Sequence, residues 1–573
     1  MNFKRAKEYL RKNKQGIRIS MKKFPIHIYL LLAITVFASS SSFADDRHKF
    51  RLARQLSVFN SIVKDLNLFY VDSIMPDKMI NKGIDAMLNN LDPYTVYYPE
   101  EKSDELKMMT TGKYAGVGST IRFHTDKNTT VLTEPYEGMP AHKAGLRAGD
   151  AILSIDGISV IGMSVDSVSD MLRGEPGTKL NINIERPGTK KELTFRLERE
   201  SIALPAISYY GIQNGNIGYI SLESFTENCA KDMRRAVVEL KKQGAESFII
   251  DLRNNGGGLL NEAIEIVNLF VPKGKTVVTT KGKIKQSNET FETKREPIDT
   301  ESPIAVLVNG QTASASEIVA GALQDFDRAV IIGSRTFGKG LVQTTRPVAG
   351  GGYLKMTTAK YYIPSGRCVQ ALDYSHVIDE GRTTRVPDSL TNVFYTTAGR
   401  KVRDGGGIRP DIEPRGEEIS TLIYNLLQDM AVFDFATEFC LKNDSIAPAA
   451  TFTISDEVYE DFGKFLKARN YNYDLISAKR LDDLKKIIEL EGFGDIVREE
   501  IESLEKKLTV NLEHSLAHFS EDVKILLATE IVKRYQGQKG EIIYSLREDT
   551  DIKESYALLK DTKRYKEILL PKE

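Results

Sequence analysis

Two short segments hold the residues best suited to chemistry: Ser314 in Thr312-Ala-Ser-Ala-Ser-Glu317 and Lys339 in Thr336-Phe-Gly-Lys-Gly340. A serine hydroxyl is a weak nucleophile until a neighbouring base takes its proton. None of the seven histidines (His27, His48, His124, His142, His376, His514, His518) lies between Ser208 and Asp373, so a serine activated in this region needs a lysine. A neutral amine serves as that base only if burial pulls its pKa from ~10.4 towards ~7–8, which requires the site to disfavour the ammonium by roughly 4 kcal/mol. The pair therefore predicts a dry, mostly apolar pocket.

The elements around the pair explain how they could meet. Residues 205–412 alternate strand-like runs at Ile217–Leu222, Ser247–Leu252, Ile304–Val308 and Ala329–Ile332 with helix-like runs at Cys229–Gln243, Leu259–Phe270 and Ala315–Asp325. Continuous apolar strands separated by helices predict a largely parallel, buried sheet, with functional groups on loops after the strand ends. Ser314 sits on such a loop at the onset of a helix, where unpaired N–H groups and the helix dipole suit a developing oxyanion. Ala315 is the first donor expected. The second is expected from the turn Asp251-Leu-Arg-Asn-Asn-Gly-Gly-Gly258, with Gly257 ahead of Gly256, because a residue without a side chain lets its backbone approach closely. If the segment after Lys339 enters a strand, Lys339 and Gln343 share a face, and Gln343 can accept a hydrogen bond from the amine and aim it. Glu317, one turn into the helix, is read as favouring the dipole rather than as a proton carrier.

Residues 112–200 change character, with glycine-rich Gly112-Lys-Tyr-Ala-Gly-Val-Gly118, short alternating strands, Ala144-Gly-Leu-Arg-Ala-Gly-Asp150, a helix near Val165–Leu172 and the turn Arg173-Gly-Glu-Pro-Gly-Thr178. The 79 positive and 79 negative residues cancel, which removes the general field that draws a chain to nucleic acid. Cys229, Cys368 and Cys440 are too few and too far apart for a disulfide framework or a metal cluster, and no cofactor or metal is expected. Lys22-Lys23, an apolar run from Ile26 to Phe37, small residues to Ala44 and then Asp45-Asp46 read as a secretory signal peptide behind a basic leader. A membrane partner enters only through an uncleaved leader. Ser61-Ile-Val-Lys64 has the spacing of some acylating enzymes but lies within an amphipathic helix and lacks the companion motifs, so it is read as chance. From about Ile419 the chain is helical and charged, and long enough to fold as a unit of its own.

Residues 112–200 resemble a bacterial PDZ domain, and that resemblance implies a carboxylate-binding loop at Gly116, Val117, Gly118 and Ser119. The Thr-Ala-Ser-Ala-Ser-Glu, Asp-Leu-Arg-Asn-Asn-Gly-Gly-Gly and Thr-Phe-Gly-Lys-Gly…Gln343 segments resemble the carboxyl-terminal processing (tail-specific) proteases of the S41 serine peptidase family. So do Thr357-Thr-Ala-Lys-Tyr-Tyr-Ile-Pro-Ser-Gly-Arg367 and Gly407-Ile-Arg-Pro-Asp411. The resemblance spans about residues 50–415. It implies a Ser314 nucleophile, a Lys339 general base, Gln343 as its orienter and a regulatory Arg173 in the PDZ domain. The implied fold is multidomain α/β, a ClpP/crotonase-like core with an inserted PDZ domain and helical terminal regions. Its expected bounds are 1–44 leader, 45–111 helical region, 112–200 PDZ, 201–415 peptidase core and 416–573 helical region. The expected enzyme is a periplasmic or otherwise secreted endopeptidase acting on proteins with unstructured C-termini, membrane-associated if its leader stays uncut. A regulatory adaptor and a homo-oligomer stay open as partners. The rival readings are a non-catalytic PDZ adaptor or chaperone, which needs neither Ser314 nor Lys339, and an acyl-CoA enzyme, which a PDZ insertion and a secretory leader fit poorly.

Overall fold

The computed structural model describes residues 26–189, 191–374, 384–414, 419–508 and 512–571. Two compact units are distinguished, Met1–Ala86 and Met87–Glu573. Residues 1–25 of the expected leader lie outside the described residues. A helix runs Ile26–Phe69, through the expected cut after Ala44. Among the described residues no helix is long and apolar enough to cross a membrane.

The second unit is built around a five-stranded sheet in the order Ile207–Gln213, Ile217–Leu222, Ser247–Asp251, Ile304–Val308, Val330–Gly333. The first pair is antiparallel and the others parallel. Alternate side chains point to opposite faces. Ile220, Ile250, Val306 and Ile331, which stand side by side, pack under the helices Cys229–Lys242, Leu260–Val267 and Ala315–Asp325. Tyr219, Ile249, Leu307 and Ile332 face the other way, and there they meet Leu546, Ile552, Leu558, Leu559 and Tyr565. The last helices, Thr550–Lys560 and Thr562–Ile568, thus complete this sheet rather than folding apart. The physical reason is that a parallel sheet needs both faces covered, and each buried aliphatic or aromatic side chain contributes about 1.5–3 kcal/mol. Tyr565 reaches the sheet backbone itself, its hydroxyl accepting from Ile304 N–H at 2.9 Å.

A second sheet joins Val96–Tyr98, Tyr353–Tyr362, Thr276–Gly282 and Thr290–Glu292, with Leu341–Pro347 also paired to Tyr353–Tyr362. The region expected to be helical over 45–111 therefore also contains a strand, Val96–Tyr98. Pro93 breaks the helical course, and the run Val96-Tyr-Tyr98 suits a pleated edge.

Residues 119–198 form a six-stranded antiparallel sheet closed by the helix Val165–Leu172. Its entry and exit strands, Lys113–Gly116 and Glu200–Ala203, pair with each other, which marks an insertion. The back of this sheet rests on the C-terminal helices, where Val131 and Ala151 touch Met430 and Phe433. There His124 Nε2 lies 3.0 Å from Asp434 Oδ1, and Arg469 donates to the same carboxylate at 2.6 Å.

Candidate active site

Ser314 is the residue before its helix and has φ 57° and ψ −115°, a backbone state that costs a non-glycine residue on the order of 1–3 kcal/mol. Ser314 thereby stands at the N-terminal cap of the helix Ala315–Asp325, with Glu317 at its third position. Several contacts hold it there. Ser314 N–H donates to Glu317 Oε2 at 2.9 Å, Tyr361 hydroxyl donates to Ser314 C=O at 3.2 Å, and Ala313 N–H donates to Asn255 C=O at 3.0 Å. Ser316, the competing serine, is fully buried and spends its hydroxyl on Asn255 C=O at 2.9 Å. Ser314 instead lines a cleft of about 930 Å³ whose apolar walls include Met109, Leu260, Ile284, Phe291, Leu341 and Tyr361.

Glu317 has a larger role than the sequence suggested. Its carboxylate is fully buried and accepts four hydrogen bonds: from Ser314 N–H at 2.9 Å, Lys339 N–H at 2.8 Å, Gly338 N–H at 2.8 Å and Thr336 hydroxyl at 2.6 Å. One carboxylate therefore ties the serine turn to the lysine turn. Burial pushes its pKa up while those four donors pull it down, with the net direction upward. The spacing Ser314-Ala-Ser-Glu317 is the readable signal, since a Glu three residues into a helix reaches back to the cap. Gly338 has φ 87°, and a Cβ there would stand 2.4 Å from the Ala371 methyl, so the lysine turn needs glycine.

Lys339 is largely buried, and its amine is lowered to about 8. The main cause is burial, with the Lys355 ammonium acting in the same direction and Glu317 and Asp92 opposing. The amine makes no hydrogen bond to Ser314 or to Gln343 in this structure. It lies 4.3 Å from the centroid of the Tyr94 ring. Tyr94 is presented by a turn in which Asp92 Oδ1 accepts from Tyr94 N–H and Thr95 N–H, both at 2.8 Å, and Thr95 hydroxyl accepts from Thr357 N–H at 3.2 Å. The sequence Leu91-Asp-Pro-Tyr-Thr95 carries the local signal for this turn, since an Asp ahead of a turn is an Asx-turn signal. Gln343 lines the same cleft, but its amide donates to Thr357 hydroxyl at 3.1 Å. The strand starts at Leu341, after Lys339, and its register slips between Val342 and Gln343, so the regular alternation of faces does not run through the pair.

Ala315, Gly256 and Gly257 all line the cleft beside Ser314. Among the described residues the N–H groups of Ala315 and Gly256 donate to no protein acceptor. Gly257 approaches most closely: at φ 98°, a Cβ there would lie 2.8 Å from Ser314 Cβ and 2.9 Å from Ala315 N. Its own N–H, however, donates to Asn255 Oδ1 at 2.9 Å. Asn255 is fully buried and also donates to Leu222 C=O at 2.6 Å, so it fixes this loop from within.

Gly116, Val117, Gly118 and Ser119 line a separate groove of about 240 Å³, together with Tyr114, Tyr136, Leu172 and Arg173. The Arg173 guanidinium stands 5.6 Å from the centroid of the Tyr114 ring. The helix Ser103–Thr111 borders both cavities, with Met108 at the groove and Leu106, Met109 and Thr110 at the cleft. Among the described residues there is no cluster of side chains able to hold a metal ion.

The sequence model of peptidase family S41 matches residues 216–375, that of a PDZ domain residues 131–186, and one described as "Probable PDZ-protease, C-terminal helical domain" residues 422–559. A "Carboxy-terminal-processing protease" of Bartonella bacilliformis is 36% identical over 353 residues, 61% of this chain and 80% of its own. A "Probable CtpA-like serine protease" of Staphylococcus aureus is 35% identical over 439 residues, 75% of this chain and 85% of its own. Among solved structures, a photosystem II D1 C-terminal processing protease shares 31% identity across 54% of this chain and 83% of its own, with a TM-score of 0.34. With such identity sustained over four-fifths of its relatives, the chain belongs to the carboxy-terminal-processing serine proteases of peptidase family S41, and it carries a PDZ domain and a C-terminal helical domain.

Proposed function

We propose that the chain is an exported endopeptidase that takes the unstructured C-terminus of a protein into its PDZ groove and cleaves it with a Ser314–Lys339 dyad. The observation that carries this reading is that the strained Ser314 turn and the largely buried Lys339 line one cleft, where burial lowers the amine to about 8. In the reaction the amine leaves the Tyr94 ring and takes the Ser314 hydroxyl proton as Oγ attacks the peptide carbonyl carbon. The oxyanion is received by Ala315 N–H and by an amide of the glycine turn. Gly256 is the donor already free, whereas Gly257 must first release Asn255. The Lys339 ammonium then protonates the departing amine. Water, deprotonated by the same lysine, releases the acyl group and regenerates Ser314. Gln343 stands where it can steady the moving amine once Thr357 is exchanged for it.

Gly116, Val117, Gly118 and Ser119 offer backbone donors to a terminal carboxylate, with Arg173 at the groove edge. Anchoring one end of the substrate raises its local concentration at the cleft. The test is incubation of purified protein with an unfolded substrate carrying either a free or an amidated C-terminus, beside Ser314→Ala and Lys339→Ala, with products read by mass spectrometry. Cleavage lost in both variants and slowed by amidation is expected. Cleavage that survives both substitutions refutes the dyad, and binding without cleavage by the unaltered chain returns the reading to an adaptor or chaperone.

A further inference from the structure

The turn that lies against Ser314 is held at its other end by a part of the chain about 300 residues away. Arg253, two residues before Asn255, is largely buried and forks onto Asp251, with Nη2 to Oδ2 at 2.6 Å and Nε to Oδ1 at 3.0 Å. Its remaining nitrogen, Nη1, crosses to the C-terminal helices and donates to Asp549 Oδ2 at 2.6 Å and Asp551 Oδ2 at 3.2 Å. Asp549 is itself fixed, because its other oxygen caps the helix Thr550–Lys560 by accepting from Ile552 N–H at 3.1 Å. Tyr219 hydroxyl completes the cluster by donating to Asp251 Oδ2 at 2.9 Å.

From Arg253 the connections continue through the turn to the residues on either side of the nucleophile. Asn254 and Asn309 exchange hydrogen bonds at 3.0 and 2.8 Å, joining the glycine turn to the Ser314 loop. Asn255 C=O then accepts from both Ala313 N–H and Ser316 hydroxyl, and Gly257 abuts Ser314. Three carboxylates around one guanidinium exceed what a structural ion pair requires. The Asp551 carboxyl is pushed up, by burial first and with Asp549 adding to it, against the pull of Arg253. Buried, bidentate arginine–carboxylate contacts are directional as well as strong, so they set position and not only stability.

We infer that Asp549 and Asp551 are positioning residues of the active site: acting through Arg253, they set the Asp251–Gly258 turn against Ser314, so the C-terminal helical segment completes the catalytic centre. This rests on the dyad reading given above. The inference gives the C-terminal segment a task in catalysis beyond covering the sheet. Displacing a positioned loop by about 1 Å can reduce turnover by up to about 100-fold without altering substrate docking elsewhere.

The experiment uses the full chain as Asp549→Asn/Asp551→Asn, as Asp551→Asn alone and as Arg253→Lys, beside the unaltered chain and Ser314→Ala. It measures kcat and KM on an unfolded peptide, the rate at which a fluorophosphonate labels Ser314, and Tm. The double variant is expected to lose about tenfold or more in both kcat and labelling rate, with KM within about twofold. Asp551→Asn should lose about two- to threefold, and Arg253→Lys should follow the double variant because a point charge cannot fork. Unchanged kcat and labelling in a folded double variant overturn the inference, as does a kcat loss that only tracks the unfolded fraction. If the double variant fails to fold, unchanged kcat in Asp551→Asn overturns it. An unaltered chain that neither cleaves nor labels overturns the dyad reading, and the inference with it, so the two failures are separable.

Discussion

Replacing Lys339 by methionine keeps the length and apolar stem of the side chain and removes only the amine, which makes it a direct probe of the charge that the cleft disfavours. The gap between 10.5 and about 8 corresponds, at ~1.4 kcal/mol per pH unit, to about 3 kcal/mol by which the folded state disfavours the ammonium. Solvent reaching a partly exposed amine reduces this, and the Tyr94 ring returns about 0.5–1 kcal/mol to the cation. A net of about 1–2 kcal/mol is left. The sign follows from proton counting. Below about pH 8 both states hold the proton and the folded state bears the full penalty. Between about 8 and 10.5 the unfolded chain takes a proton that the folded chain refuses, so stability rises with pH, and above 10.5 the difference is gone. Lys339→Met should therefore unfold about 1–2 °C higher than the unaltered chain at pH 7, since about 2.1 cal/mol/K per residue over the unit Met87–Glu573 gives roughly 1 °C per kcal/mol, with the gap closing as pH approaches 10.5. Calorimetry of both proteins from pH 6.5 to 10.5 reads this directly. In the active chain, kcat/KM should climb about tenfold per pH unit up to about pH 8, with about a tenth of the enzyme carrying the free base at pH 7. A methionine variant that is less stable at pH 7, or a stability gap that ignores pH, would refute the reasoning, because it would mean the amine is hydrated and unstrained.

Two further substitutions test how the serine turn is held. Gly257→Ala places a methyl 2.7 Å from Ala313 C=O and 2.8 Å from Ser314 Cβ at φ 98°, so the turn must shift. Peptide cleavage should fall by about 100-fold or more while far-UV circular dichroism stays unchanged, and near-normal cleavage would show that the turn yields freely. Glu317→Gln offers an N–H₂ where two of the four donors now find an acceptor, leaving buried donors facing a donor. About 3–5 kcal/mol of stability and most of the activity should be lost, measured as Tm and peptide cleavage, and a variant matching the parent in both would remove Glu317 from the positioning role.

The alternation of apolar strands and amphipathic helices was legible in the chain because it reports local geometry. The strand Ile304–Val308 and the helix Ala315–Asp325 fall where the periodicity placed them, and the parallel sheet followed from their continuous apolar runs. Ser314 and Lys339 were nominated by residue type and by the lack of any nearby histidine. The glycine turn could be assigned to the cleft, since only glycine tolerates the approach made by Gly257. Each of these inferences depends on residues near one another in sequence, or on what a single side chain permits.

What the chain could not disclose are the contacts set by packing between distant segments. The amine of Lys339 rests on Tyr94, which lies 245 residues earlier in the chain and is brought there by a strand that pairs with Tyr353–Tyr362. The amide of Gly257 is taken by Asn255, and the glutamine four residues beyond Lys339 turns to Thr357 because a register slip redirects it. The C-terminal helices close the far face of the catalytic sheet and grip Arg253 through two aspartates. Residue type and local period determine which groups are chemically able to act, because they depend on covalent structure and nearest-neighbour geometry. Which of those groups meet, and in what protonation state, is decided by burial and by partners hundreds of residues away, and those exist only once the chain has folded.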